Sequence, residues 1–515
     1  MMEKVLMQNM KRLILSLMIL VQLLALVGCG IQTRSKGSDI PQANARLKKL
    51  DGNSISTAEL EAFVEQIMEK ADVAGLSLAI LNDSQLVYQK AFGYKNKRDG
   101  TRNDEQTLFS AASFSKPVFA YLVMLLSEEG IIDLDKPLYE YLDKPLYEYP
   151  PYTDLKGDDR YQKITARMVL SHTTGFPNWR FLTPDGKLSI LFPPGSRHSY
   201  SGEGIALLQM IVEVVTGSNL EVLAQEKIFQ PLGMTRSSYT WQPEFEANYA
   251  SPHDEYGRPR GEKIQRAEPD AAGSMVTTAS DYARFLIAIL NAEEQRKATV
   301  NEMLQPQIAI NYKQMFGPDA WEMTDEYQNT HLAWGLGWGQ FDTSYGQAFF
   351  HTGHSFGWQN YTVTYIDKGI GIVMLSNSDN FESVAEEIAK KAIGDIYSPY
   401  DWLGYVPFDP ARAKKTPPPD PVAKQVDPSV LAAYVGTYDM QPTAIFQVKF
   451  EDDSLFLQSQ DGAGWEQLFA ESETRFFVKG QEDYQFIFIQ DNAGTVTALQ
   501  VVYQGIQLPL AKKVE

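Results

Sequence analysis

The apolar positions change period several times along the chain, and each change predicts an element. Between residues 57 and 70 they fall at Leu60, Phe63, Val64 and Ile67, a helical spacing that Ser56 or Thr57 can cap. From 76 to 94, two apolar runs of strand character flank Asn82-Asp83-Ser84, which predicts a hairpin. Residues 115–130 predict an apolar helix ended by Gly130. Residues 202–217 predict a second, with Ile205, Leu208, Ile211, Val212 and Val215 on one face. Thr278-Ala279-Ser280-Asp281 reads as the capped start of a third helix, running to about Leu290. Residues 347–378 are strand-like. Strands at both ends with helices between them predict an α/β (α+β) sandwich, an antiparallel sheet packed by helices.

Two features punctuate this pattern. An eight-residue unit is nearly doubled, DKPLYEYL at 135–142 and DKPLYEYP at 143–150. Two copies do not make a solenoid, and their proline-rich setting predicts a surface loop. Residues 406–426 hold six prolines and read as a stiff linker between domains. The folded part before it is therefore expected to span 57–405. After it, 427–515 is strand-rich, with turn signals at Asp452-Asp453-Ser454 and Asp491-Asn492-Ala493-Gly494. This stretch predicts a small all-β domain, a barrel or sandwich.

Composition narrows the function classes. The chain of 515 residues is 44% hydrophobic and 22% charged, which is ordinary for a globular protein. A net charge of −19 repels phosphate backbones and argues against a nucleic-acid partner. A single cysteine, Cys29, excludes an internal disulfide and a multi-cysteine zinc site. The six histidines are scattered and no His-Glu-x-x-His occurs, so neither a metal nor another cofactor is expected.

The N-terminus reads as an address. Lys4, Lys11 and Arg12 precede an apolar run from Leu13 to Val27, too short to span a membrane and suited to a secretory signal. Leu26-Val27-Gly28-Cys29 resembles a bacterial lipobox. The resemblance implies a signal peptide over 1–28, lipidation of Cys29 and a polar tether over 29–56. The protein would then be an exported lipoprotein held to a lipid membrane, facing the periplasm or the exterior.

The chemistry centres on Ser113-Phe114-Ser115-Lys116, at the start of the 115–130 helix. Residues three apart share a helix face, which sets Ser113 beside Lys116. A serine hydroxyl attacks only when a neighbour takes its proton, and a lysine does so once burial lowers its pKa. Tyr200-Ser201-Gly202 precedes the second helix, and a phenol can shuttle protons. His351-Thr352-Gly353 lies between strand-like runs, where a glycine lets a ligand approach the strand. Ser-x-x-Lys, Tyr-Ser-x and a later His-Thr-Gly, in this order, resemble the serine β-lactamase and penicillin-binding-protein superfamily, the class C-like hydrolases above all. LSHTTGFPNW (170–179), PLGMTRSSY (231–239), AAGSMVTTASDYARFL (271–286) and WGLGWGQF (334–341) agree.

That resemblance implies Ser113 as acylated nucleophile and Lys116 and Tyr200 as general base and acid. The backbone N–H groups of Ser113 and His354 would form the oxyanion hole. His351, Thr352 and Gly353 would line the strand where substrate lies. Efficient β-lactam hydrolases of the family usually carry Asn at the place of Gly202 and Lys at the place of His351, so the resemblance favours esters or D-peptide and amide bonds. The substrate would be a small molecule, an ester or a peptide derived from peptidoglycan. A true β-lactamase, a D,D-carboxypeptidase-like penicillin-binding protein and a non-catalytic sensor are the alternatives. The 427–515 stretch, with DPSVLAAYVGTYD at 427–439, resembles the lipocalin-like domain often appended to such hydrolases. Gly353-His354-Ser355-Phe356-Gly357 also matches the Gly-x-Ser-x-Gly elbow. That motif demands a helix next, whereas a strand pattern follows, and no histidine lies beyond His354.

Overall fold

The computed structural model describes residues 45–183, 185–260, 265–409, 422–440, 444–459, 464–479, 481–503 and 506–514. The expected signal peptide, Cys29, the tether up to residue 44 and the middle of the proline-rich linker (410–421) lie outside the described residues.

In chain order, the elements that position the site are α1 (Thr57–Ala71), β1 (Gly75–Asn82), β2 (Gln85–Asn96), β3 (Thr101–Arg102), α2 (Ser115–Glu128), α3 (Gly202–Thr216) and α4 (Ala279–Leu290). They continue with β4 (Ile308–Ala309), β5 (Ala333–Trp334), β6 (Gly339–Thr343), β7 (Gly346–Ser355), β8 (Trp358–Tyr365), β9 (Ile370–Ser376) and α5 (Glu382–Ile393). The strands form one sheet in the order β3-β2-β1-β9-β8-β7-β6-β5-β4, with every neighbour antiparallel. The sheet lies between two cores. Along β1 the pleat sends Ala79 and Leu81 toward the helical mass holding α2, α3 and α4, and Leu76, Leu78 and Ile80 toward α1 and α5. A fully buried side chain such as Leu60 contributes about 1.5–3 kcal/mol of burial. This is the sandwich the periodicity predicts.

Local chemistry sets the boundaries. Ser56 caps α1 in a capping box: its hydroxyl accepts the Glu59 N–H while the Glu59 carboxylate accepts the Ser56 N–H. The β1–β2 turn, Asp83-Ser84, has positive φ at both residues, the hairpin geometry that matches strand twist. Gly217 ends α3 in the left-handed conformation. The helix expected over 115–130 begins at Ser115, and Ser113 precedes it in a 3-10 turn over Ala112–Phe114.

The doubled unit is more than a surface loop. Each copy forms a 3-10 turn, and Leu138 and Leu146 are buried at equivalent positions. Tyr139 and Tyr147 both meet Tyr161 edge-on, at 6.2 and 6.3 Å. Lys136 lies over Tyr141 and Lys144 over Tyr149, at 4.1 and 4.5 Å. The repeat is therefore read twice by the same core.

The C-terminal strands are β10 (Gly436–Asp439), β11 (Ile445–Glu451), β12 (Ser454–Ser459), β13 (Glu466–Ala470), β14 (Arg475–Val478), β15 (Gln481–Gln490), β16 (Val496–Tyr503) and β17 (Ala511–Lys513). They run β15-β14-β13-β12-β11-β10-β17-β16, and β16 pairs back to β15, closing an eight-stranded barrel. Closure removes the open edges that a small sheet would otherwise expose. Tyr484 of β15 reaches Phe356 at the β7–β8 turn, ring centroids 6.4 Å apart.

Candidate active site

The turn before α2 is strained where it presents Ser113. Ala112 has φ +46°, a left-handed conformation that costs a non-glycine residue about 1–2 kcal/mol. Its neighbours hold it there. Ser115 Oγ donates to the Ala112 carbonyl at 2.6 Å and accepts the Met275 N–H at 3.0 Å, while Ala111 N–H donates to the Met275 carbonyl. Strain of this sort gathers at functional sites. Within this frame Lys116 Nζ lies 3.0 Å from Ser113 Oγ and donates to the Ala272 carbonyl at 2.6 Å. Lys116 is 1% exposed. Burial pulls its pKa down to about 7, against the opposing pull of the Asp270 charge.

Tyr200 enters from the loop ahead of α3. Ser201 caps that helix by accepting the Gly204 N–H, and its hydroxyl donates to the Pro177 carbonyl. Ser201 N–H donates to His172 Nδ1 at 3.1 Å, which leaves the proton of the neutral ring on Nε2. The His172 ring packs 4.3 Å from the Tyr200 ring, centroid to centroid, and Lys116 Nζ sits 4.9 Å from the Tyr200 ring centre. The phenol faces Ser113, although its hydroxyl makes no hydrogen bond of full geometry. Burial raises the Tyr200 pKa and drives that of His172 well below the usual histidine value. At neutral pH the tyrosine keeps its proton and the histidine is uncharged.

β7 supplies the third side. Its pairing with β6 stops at Phe350, opposite Gly339, whereas its pairing with β8 continues to Ser355 opposite Trp358. Ser355 and Trp358 flank the two-residue turn Phe356-Gly357 and form its closing hydrogen-bonded pair. Antiparallel pairing alternates, so His354 turns its N–H to the opposite edge, the one β6 has vacated. The His354 ring is tied down separately: Nδ1 lies 2.6 Å from Glu382 Oε1, and Gln359 links the same hairpin to Glu382 N–H and the Asp379 carbonyl. Gly353 has a steric role. A Cβ there would lie 2.5 Å from the Ala111 carbonyl oxygen of the turn that carries Ser113.

His351 and Thr352 part company. His351 is fully buried, with its ring near those of Phe114, Tyr200, Trp334 and Trp338. Burial and the nearby Lys116 lower its pKa to about 3, so it is neutral. The pleat sends Thr352 to the other face, where its hydroxyl meets the Tyr405 hydroxyl at 2.7 Å. The structure thus gathers Ser113, Lys116, Tyr200, His351 and the His354 backbone, and directs the Thr352 side chain away.

Position 202 is closed by an aromatic ring. A Cβ on Gly202 would lie 2.5–2.9 Å from three atoms of the Trp179 indole. An asparagine cannot stand there while Trp179 keeps its place.

A family model described as beta-lactamase matches residues 60–394 of this chain. The chain belongs to the beta-lactamase family. It is 26% identical over 460 residues to penicillin-binding protein 4* of Bacillus subtilis, covering 82% of this chain and 91% of that one. It is also 26% identical to esterase EstB of Burkholderia gladioli over 211 residues, 36% of this chain and 52% of the relative. The octameric penicillin-binding protein homologue of Pyrococcus abyssi has the same fold, with TM-score 0.52, 21% identity and coverage of 88% and 100%. A second family model, a domain of unknown function (DUF3471), matches residues 420–511, the stretch that holds the barrel. The α+β sandwich of this serine-hydrolase family is thereby the fold of the chain.

Several supporting groups of this beta-lactamase-family site are silent in sequence. The Ala272 carbonyl that receives Lys116 is backbone and carries no residue signature. His172 reads as an ordinary loop residue, yet it holds the Tyr200 loop through Ser201. Asn360 donates to the Ser110 and Ala111 carbonyls at 3.0 and 3.1 Å, locking β8 to the turn that carries Ser113. Trp334 and Trp338 are buried core rings.

Proposed function

We propose that the protein hydrolyses esters or amides through an acyl-enzyme on Ser113, outside the cytoplasm and held to a membrane by lipid on Cys29. The observation that carries the chemistry is the buried Lys116 amine, its pKa lowered to about 7, 3.0 Å from Ser113 Oγ. As Oγ attacks the substrate carbonyl carbon, Lys116 takes its proton. The carbonyl electrons move onto oxygen, and the N–H groups of Ser113 and His354 hold the resulting charge. Donors set in advance for that charge are worth about 3–4 kcal/mol each. Tyr200 is protonated and faces Ser113, which suits it to pass a proton to the departing alkoxide or amine. Loss of that group leaves the Ser113 ester. Water then adds to it, gives up a proton to the same pair, and releases the acid and the free serine.

The site favours esters and neutral amides over β-lactams. A penicillin brings a carboxylate, and His351 is neutral where a fixed cation would hold it. Labelling with a fluorophosphonate, read by intact mass and peptide mapping, tests the nucleophile. One adduct on Ser113 is expected; an adduct on Ser355, or none on folded protein, overturns the assignment. Comparing kcat/KM for an ester, a D-aminoacyl amide and a cephalosporin tests the preference. Preference for the cephalosporin by about tenfold, about 1.4 kcal/mol at the transition state, restores the β-lactamase reading. For the anchor, Cys29→Ser is expected to abolish fatty-acid labelling and leave the leader uncleaved; normal processing overturns it.

A further inference from the structure

The aromatic ring at position 202 belongs to a larger built surface. Trp179 stacks on Phe181, with centroids 6.0 Å apart and planes 13° from parallel. The loop carrying both is clamped to the first turn of α3. Arg180 gives Glu203 a bidentate, buried ion pair through Nε and Nη2, at 2.9 and 2.6 Å, and its own N–H donates to the same carboxylate. Asn178 accepts the Gly202 N–H with both its main-chain and side-chain oxygens. These bonds hold the indole against α3 whether or not a ligand is present.

A second ring is held over Tyr200. Phe316 meets the Tyr200 ring edge-on at 5.7 Å and is nonetheless 46% exposed. Its segment is pinned on both sides. Tyr312 OH lies 2.6 Å from His198 Nδ1, Met315 N–H donates to the Trp402 carbonyl, and Trp321 lies under the Arg197 guanidinium at 4.4 Å. An exposed phenylalanine fixed over a catalytic tyrosine is a preformed apolar surface. Of the two arginines beside these rings, Arg180 is paired with Glu203, and Arg197 lies over the Tyr312 and Trp321 rings and donates to the Ala320 carbonyl.

We infer that the group carried into this site is a neutral acyl chain with a long alkyl or aryl part, bound against the Trp179–Phe181 stack and Phe316. The inference rests on the acyl-enzyme reading above and names its substrate class. Trp179 and Phe316 set specificity for that chain, and a free carboxylate on it is disfavoured.

The test uses the exported full chain and p-nitrophenyl esters: acetate, hexanoate, octanoate, 3-phenylpropionate, and the half-ester of adipic acid, which matches hexanoate in length but ends in a carboxylate. Octanoate and 3-phenylpropionate are expected to exceed acetate in kcat/KM by about tenfold or more, and hexanoate to exceed the adipate half-ester by a similar factor. Trp179→Ala is expected to shrink the octanoate-to-acetate ratio about tenfold, and Trp179→Phe to retain most of it. Phe316→Ala, at an exposed position, serves as a second variant should Trp179→Ala fail to fold. A flat chain-length profile, equal turnover of the carboxylate ester, or variants that slow all esters by one factor overturn the inference. Fluorophosphonate labelling of Ser113 in the same preparation separates that result from failure of the acyl-enzyme reading.

Discussion

Gly353 passes so close to the Ala111 carbonyl that a Cβ would come within 2.5 Å of its oxygen. This contact joins the strand that presents the His354 N–H to the turn that presents Ser113. Asn360 strengthens the joint by donating to the same carbonyl. Gly353→Ala must push the strand off the turn. A displacement near 1 Å at a reacting centre lowers rate by about 10²-fold. We expect a fall of that order in kcat/KM with the far-ultraviolet circular dichroism unchanged. Wild-type kcat/KM in Gly353→Ala would mean the two donors need no fixed spacing.

Ser113→Ala is expected to abolish turnover and labelling while the fold persists. Lys116→Ala and Tyr200→Phe are each expected to lower the acylation rate by about 10²–10⁴-fold, the scale of a lost general acid or base. Stopped-flow acylation measures both. A Tyr200→Phe enzyme at wild-type rate would reduce Tyr200 to a packing ring.

The pH profile follows from Lys116. Its protonated form cannot accept the Ser113 proton, and its pKa lies at about 7. The kcat/KM profile should therefore rise through an acid limb near pH 7. The Asp270 charge favours the protonated lysine. Asp270 also accepts the Ala272 N–H at 2.8 Å, one residue whose carbonyl holds Lys116. Asp270→Asn removes the charge but can keep that hydrogen bond, so the acid limb should move to lower pH. A limb that stays put would mean that another group titrates there.

Stability has its own pH dependence. His172, His198 and His351 are buried and neutral, with pKa values well below the usual one for His172 and about 3 for the other two. In the unfolded chain each takes up a proton below about pH 6.5. The unfolded state then binds more protons, so stability falls as pH drops from about 6.5 toward 3. Each histidine contributes a slope of up to about 1.4 kcal/mol per pH unit. Urea unfolding at pH 7, 6 and 5 is expected to show a steep loss; a flat profile would mean that these rings are charged in the native protein.

Local rules were legible in the sequence because they act over a few residues. The capping box at Ser56, the Asp83-Ser84 turn and the Thr278 cap each depend on side chains within one turn of the backbone they serve. Apolar periodicity gave the helices and central strands, since a buried stripe has to repeat with the backbone. Ser113, Lys116 and Tyr200 stand out in the sequence because three motifs keep their order along the chain, and the structure brings them together.

Other features depend on packing between distant segments. Trp179 covers Gly202 across 23 positions of chain, and no periodicity links them. Lys116 meets a carbonyl 156 positions away, and carbonyls look alike in every residue. The lowered pKa of Lys116 arises from burial beneath elements that converge only on folding. Thr352 and His351 are adjacent in sequence, yet the pleat faces one toward Tyr405 and the other toward Tyr200. The sequence determined which residue types were available for acyl transfer. Tertiary structure decided their charge, their spacing and the apolar surface beside them, because desolvation and close contact exist only once the chain has packed.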